Sequence, residues 1–326
     1  LPARFICGMT TLQLISVLVQ SRRNEARRLS SGIKSQQQDS SAAELTEALK
    51  RQAELAGVDL LGFAPVERFE GVAAEHHPAS IFPETRTVVV VGKRIVRGTL
   101  RGVEEGTQFD IYARYGYEWL ENRFLAMCTF KVAEFLEDQG WEAVPLLDLP
   151  TRMPAMGVSV AKGRPAPNVL LDIEQAAVRA GLGEIGYLDV FLSPEYGPRQ
   201  RFQAVLTDAP LQPTPLFSGR VCDRTPELAD LCPLGAIDAK GERTLEICGK
   251  PMRVAAVDYS RCAGCRNGAL PNRWHDSGRP DRLAAVCMRS YLDHLEKRGR
   301  LNAVFANSFR SRKPWIRPEY SNPGKP

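Results

Sequence analysis

Six of the chain's eight cysteines lie between Cys222 and Cys287, and Cys262 and Cys265 form a C-x2-C pair. No other feature constrains the fold as strongly. A chain of 326 residues, 44% of them hydrophobic, builds a core without disulfides. Clustered cysteines in such a chain point to metal and to a reducing, cytoplasmic setting. The stretch "CDRTPELADLCPLGAID" opens on Cys222 and reaches Cys232-Pro233. Iron–sulfur loops of bacterial ferredoxins read C-x2-C-x2-C-x3-C-P. The separation of Cys222 from Cys232 equals that between the first and fourth cysteines of this pattern.

The two middle slots hold Thr225 and Leu228. In two-cluster modules the first three cysteines of a loop hold one cluster and the fourth holds the other. One cluster site is therefore lost. The other is expected as a [4Fe-4S] cluster on Cys232, Cys262, Cys265 and Cys287. Cys248 competes as fourth ligand, but "TLEICGKPMRVAAV" reads as a hairpin turning at Gly249, whereas Cys287 sits in the helical stretch "DRLAAVCMRSYLDHLEK". Structural zinc on Cys262, Cys265 and Cys287, completed by His275 or Cys232, is the competing reading. Loss of all metal is a third. Cys222 is expected to be a buried thiol.

Ahead of the cysteines, strands and helices alternate. "DLLGFAPV", "TVVVVGKRI", "EAVPLL" and "FQAVLTDAPL" read as strands, the second a β-branched run of the fully buried kind. Ser41 and Glu44 stand at capping-box spacing before a helix closed by Gly57. Tyr117–Gly140 reads as an amphipathic helix with Leu120, Phe124, Met127, Val132 and Phe135 on one face. Leu171–Gly183 reads as a helix with a glycine exit. The expected organisation is a basic tail over 1–40, disordered or targeting-like; an α+β domain over 41–212; a small cysteine-rich domain over 213–296; and a basic tail over 297–326. Both ends are basic, six Lys/Arg over 1–38 and eight over 297–326, against one acid each. The middle is therefore mildly acidic. Solvated, mobile termini are the expectation, and nucleic acid is not an expected partner. "TLQLISVLV" is too short to span a bilayer, and Met9 is a candidate start.

"GLGEIG" fits G-x-G-x-x-G but follows a helix and precedes a strand, the reverse of a dinucleotide site. Gly181, Gly183 and Gly186 instead predict a sharp turn, either for packing or as the floor of a flat cofactor's pocket. Proton donors are sought among Tyr115 and Tyr117 of "FDIYARYGYEW" and at Asp172, with Glu174 beside it; core aromatics and a solvated helix face are the plainer expectations. No Ser/His/Asp or paired-carboxylate arrangement is visible.

"AVRAGLGEIGYLDVFLSPEYGPRQRFQAVLTDAPL" (177–211), followed by a loop ending in "CPLGAI", resembles the epoxyqueuosine reductases and the corrinoid reductive dehalogenases, and "GEIGY" and "PEYGPR" resemble the dehalogenase side more closely. The resemblance covers about 43–290 and is weak before Leu171. It implies a nitroreductase-like α+β sandwich able to hold cobalamin, followed by a ferredoxin-like domain whose two clusters feed it electrons. It implies a cofactor lying against Gly181, Gly183, Gly186, Tyr196 and Gly197. It also implies a small-molecule substrate, an external electron donor and reductive chemistry; a homodimer is a further expectation. Departures are plain. Thr225 and Leu228 break the first loop, "CAGCRNG" lacks the later C-x3-C-P ending, and "RPAPN" carries no acid where the epoxyqueuosine group has its aspartate donor. Two functional readings follow: an oxidoreductase with one cluster and a corrinoid or similar cofactor, or a non-catalytic relative that binds metal, a corrinoid or a partner.

Overall fold

The run Val88–Val91 is fully buried along its whole length, which requires cover on both faces of its sheet. The computed structural model describes residues 41–149, 157–274 and 278–321; residues 1–40, with Cys7, Met9 and the basic amino-terminal tail, and His275 lie outside them. Helical backbone runs over 41–55. Residues Leu49–Pro326 form one compact unit, and 41–48 belong to another.

The main sheet holds β1 (Leu60–Pro65), β2 (Thr87–Arg94), β3 (Ala143–Leu146) and, beyond a small hairpin of β4 (Glu184–Gly186) and β5 (Val190–Leu192), β6 (Gln200–Thr207). Its order is β1-β2-β6-β3, with every pair antiparallel. Side chains alternate between faces. Val88, Val90, Ala204 and Leu206 pack with Ile173, Ala176 and Ala177 of the helix Ile173–Arg179. A long helix ending in Ala126–Asp138 packs against β3 and β6. The chain is thus of mixed α and β structure with an antiparallel sheet.

That long helix departs from the expected face. Residues Tyr112–Glu118 and Leu120–Leu125 wind as wide π turns, which rotate the apolar stripe relative to a 3.6-residue period. Leu125, Cys128, Val132 and Leu136 are buried, while Phe124 and Met127 are exposed.

The cysteine-bearing segment adds β7 (Ile237–Ile247) and β8 (Lys250–Val257), a hairpin whose turn holds Cys248 and Gly249, both at positive φ. Asp258 caps the short helix Tyr259–Ala263, and the helix Val286–Lys297 follows. One core joins these elements to the segment before residue 213: Tyr112, Tyr187 and Leu192 pack with Leu228, Leu283 and Met288. The linker near 213 therefore marks no gap in packing.

The expected basic tail is bound along its described part. Arg310 pairs with buried Glu104, which also pairs with fully buried Arg289. Arg312 pairs with Glu105, Arg101 donates to the Phe309 carbonyl, and the Trp315 indole donates to the Val103 carbonyl. Its cations meet acids of the body, so this stretch is a strap rather than a mobile end.

Candidate functional site

Cys232, Cys262, Cys265 and Cys287 line one small cavity, walled otherwise by Pro233, Leu234, Ala236, Ala269, Ala285, Val286 and Arg282. Each thiol is positioned by a local device. Cys232 ends the 3-10 turn Pro226–Leu231, and its Sγ accepts from the Ala236 N–H at 3.3 Å. Cys262 sits in the helix capped by Asp258, and the Cys265 N–H closes on the Cys262 carbonyl at 3.0 Å. Cys287 stands in the first turn of its helix. Beyond Cys265, Asn267 is fully buried, donating to the Trp315 carbonyl and accepting from the Arg317 N–H. At Gly268 (φ 108°) a Cβ would run into the Ala284 carbonyl oxygen, so the loop requires glycine there.

Burial pushes the Cys262 and Cys265 thiols up. It pushes Cys287 up to about 12, against the pull of Arg282, with the other three thiols adding to the rise. Four soft donors in a largely apolar shell are the donor type that would hold a [4Fe-4S] cluster. Among the described residues no three His, Cys, Asp or Glu side chains group so as to hold a metal ion. Cys248 is exposed in the hairpin turn, outside this cavity. Cys222 is also outside it. Its Sγ accepts from the Tyr291 hydroxyl (3.0 Å) and the Tyr187 N–H (3.2 Å). Fully buried Tyr187 and Tyr291, with buried Thr225 and Leu228, pack the region of the broken loop.

A second cavity, of about 180 Å³, carries the charge. Its walls include Tyr117, Glu121, Asp172, Glu174, Arg201 and Asp281. Arg201 holds Asp281 at 2.8 Å, and the Tyr112 hydroxyl donates to the same carboxylate at 2.6 Å. Glu121 lies between Arg201 and Arg273. Burial raises its pKa against the pull of both cations. The Tyr117 ring packs against the guanidinium groups of Arg201 (5.0 Å) and Arg273 (4.3 Å). Burial and then Glu121 push its phenol up to about 12. Glu174, raised to about 7 by burial and then by Asp172, is poised to exchange a proton near neutrality.

The sequence candidates separate accordingly. Asp172 reaches the cavity but is also a helix cap, accepting from the Gln175 N–H at 2.9 Å. Tyr117 and Asp172 line the cavity; Tyr115 is half exposed and packs edge-on to Trp119. Asp172 and Glu174 are partly exposed and face the cavity. A Cβ on Gly181 would meet the Pro215 carbonyl, on Gly183 that of Leu192, and on Gly186 the Leu192 side chain. Tyr196 and Gly197 belong to a tight turn bridged between Ser193 and Gly197, and a Cβ on Gly197 would meet Leu301. None of these five is among the residues lining the charged cavity. That cavity is also smaller than the roughly 300–1,000 Å³ of sites for drug-sized ligands. By itself this cavity does not enclose a corrin ring, which is larger still. Glu121, Arg201, Asp281 and Arg282 were not legible in the sequence. Of these, Asp281 and Arg282 leave a trace in the charged run "RPDR" shortly before Cys287.

No protein-family model matches the chain. Over part of its length it is similar to curated reductive dehalogenases, the side that its motifs resemble. Over 149 residues, 42% of the chain, it is 30% identical to a tetrachloroethene reductive dehalogenase of Sulfurospirillum multivorans. Over 168 residues, 50% of the chain, it is 31% identical to one of Desulfitobacterium hafniense. The chain spans about a quarter of the length of these curated relatives, 25% and 26%. A solved reductive dehalogenase, described in terms of B12-dependent dehalogenation, shares the fold over 87% of this chain and 44% of its own, with a TM-score of 0.50 and 17% identity. An epoxyqueuosine reductase structure aligns over 59% of this chain and 53% of its own, with a TM-score of 0.38.

Proposed function

We propose that the chain is an oxidoreductase that reduces a small molecule in the charged cavity, using one [4Fe-4S] cluster on Cys232, Cys262, Cys265 and Cys287 and an external electron donor. The convergence of these four thiols on one apolar cavity carries the reading. When bound, such a cluster supplies electrons one at a time. The chain's own residues supply the rest. Arg201 and Asp281 fix each other and Tyr112, so the wall is set before a ligand arrives. Tyr117, with its raised pKa, stays protonated and donates a hydrogen bond. Glu174 holds or releases a proton near pH 7. No part of this reading passes through a corrinoid.

The test is anaerobic purification followed by iron, zinc and cobalt analysis, a visible spectrum and a titration with hydroxocobalamin. About four irons per chain, colour that bleaches with dithionite and no cobalamin uptake are expected. A Cys262→Ser chain that kept all its iron would sink the ligand set. One zinc with no colour would favour a non-catalytic relative.

A further inference from the structure

The two cavities share a side chain: Arg282 lines both. It is 8% exposed. Its Nη2 donates to the carbonyls of Leu188 (2.9 Å) and Asp189 (2.7 Å), in the turn between β4 and β5, and reaches the Tyr259 hydroxyl at 3.5 Å. That hydroxyl donates to the Asp189 carboxylate at 2.6 Å. The other amino group, Nη1, is buried and has no hydrogen-bond partner among the described residues. No other Lys or Arg lines the cysteine cavity among the described residues.

Buried Arg199 is likewise held by a backbone carbonyl, but of the buried arginines Arg282 is the one that lines the cysteine cavity. Arg201 and Arg289 each meet a carboxylate directly, whereas Arg282 is held by two carbonyls and a phenol. A guanidinium stays charged in proteins, and a buried charge is costly unless opposite charge or hydrogen bonds offset it. The nearest sulfur-bearing wall is that of the four cysteines. Four thiolates around a cluster would add to the negative charge that Asp189 brings to Arg282 by way of the Tyr259 hydroxyl.

Resting on the cluster reading above, we propose that Arg282 is the positioning and charge-setting residue of the cysteine cavity: Nη1 donates toward the sulfurs, and the fixed cation governs how readily the bound cluster accepts an electron. Reduction moves one electron from the donor to the cluster. It makes and breaks no bond at Arg282 and needs no proton there. The added negative charge is stabilised by a cation held in a low-dielectric wall, and hydrogen bonds to cluster sulfurs tune the potential in the same direction. Because Arg282 also faces the charged cavity, it joins the electron site to the substrate site through the Tyr259–Asp189 pair.

The test compares the full wild-type chain with Arg282→Gln and Arg282→Lys, each purified anaerobically. Iron per chain is measured first, then the reduced fraction is followed by electron paramagnetic resonance against poised dithionite. Equal iron is expected in all three. The Gln variant should show at least a tenfold lower reduced-to-oxidised ratio at a given potential, about 59 mV for a one-electron couple. The Lys variant should retain most of the wild-type ratio. An iron-loaded Gln variant that titrates with wild type overturns the proposal, and so does a Lys variant shifted as far as Gln, because packing rather than charge would then be responsible. If the Gln variant fails to load iron, wild type labelled with 15N-arginine decides. Pulsed resonance of the reduced cluster should show a 15N coupling, and its absence overturns the assignment. A wild-type chain without iron instead overturns the cluster reading itself, an outcome the first measurement separates from the rest.

Discussion

Glu174 shows how one residue's surroundings set its chemistry. Its carboxyl is raised to about 7 by burial and by Asp172 next to it. The folded state therefore holds the proton more tightly than the unfolded chain does. The stability tied to that proton is fully present below the unfolded value of about 4.5 and is lost as pH rises through about 7. Glu174→Gln removes this dependence while keeping an oxygen to accept from the Phe191 N–H. The variant should match wild type near pH 4.5 and exceed it by on the order of 3 kcal/mol above pH 7. Urea unfolding of both proteins across that range reads it, and a pH-independent difference would refute it. The acid pair Asp172 and Glu174 was visible in the sequence. Their division into a cap and a cavity-lining carboxyl was not, because it depends on walls supplied by residues far along the chain.

At the scale of the element, the π turns of the long helix bring Tyr112, Tyr117 and Glu121 round the same guanidinium, Arg201. A regular 3.6-residue reading cannot anticipate this, and it misplaced Phe124 and Met127 for the same reason. Wide turns of this kind recur at functional sites. Gly116 makes the arrangement possible: a Cβ there would lie 2.5 Å from the Tyr112 ring, and that ring is buried, with its hydroxyl on Asp281. Gly116→Ala gains helix propensity of about 1 kcal/mol but forces the ring away, a clash of the kind that costs about 1–3 kcal/mol. Thermal melts should show net destabilisation. A stabilised variant would mean that the ring yields freely. Other elements were plain from local pattern alone, such as the buried β-branched strand β2 and the Cys248–Gly249 hairpin turn, because each is fixed by neighbours in sequence.

Across the whole molecule, the four cysteines come from three separate pieces: the turn after Leu231, the Tyr259–Ala263 helix with its exit, and the Val286–Lys297 helix. The Cys262–Cys265 pair was legible from its short spacing, and the Cys232-Pro233 ending from its loop pattern. The route by which the rest of the chain supports them was not legible, because it runs through long-range charge pairs. Arg289, in the same helix as Cys287, meets Glu104, which Arg310 of the strap also holds. Asn267, next to the Cys265 loop, is held by the backbone at Trp315 and Arg317. A cluster on these cysteines would tie three pieces together at one point, so its binding energy adds to folding. Removing it anaerobically with chelator and oxidant should lower the melting temperature by about 2–4 °C for each kcal/mol lost, and a Cys287→Ser chain should melt near the stripped wild type. Because Tyr187, Tyr291 and Leu228 pack the region of the broken loop, a single step of iron loss, without a second population, should accompany the shift. Two separable iron pools, or a melting temperature indifferent to iron, would count against a lone cluster that also serves as a structural tie.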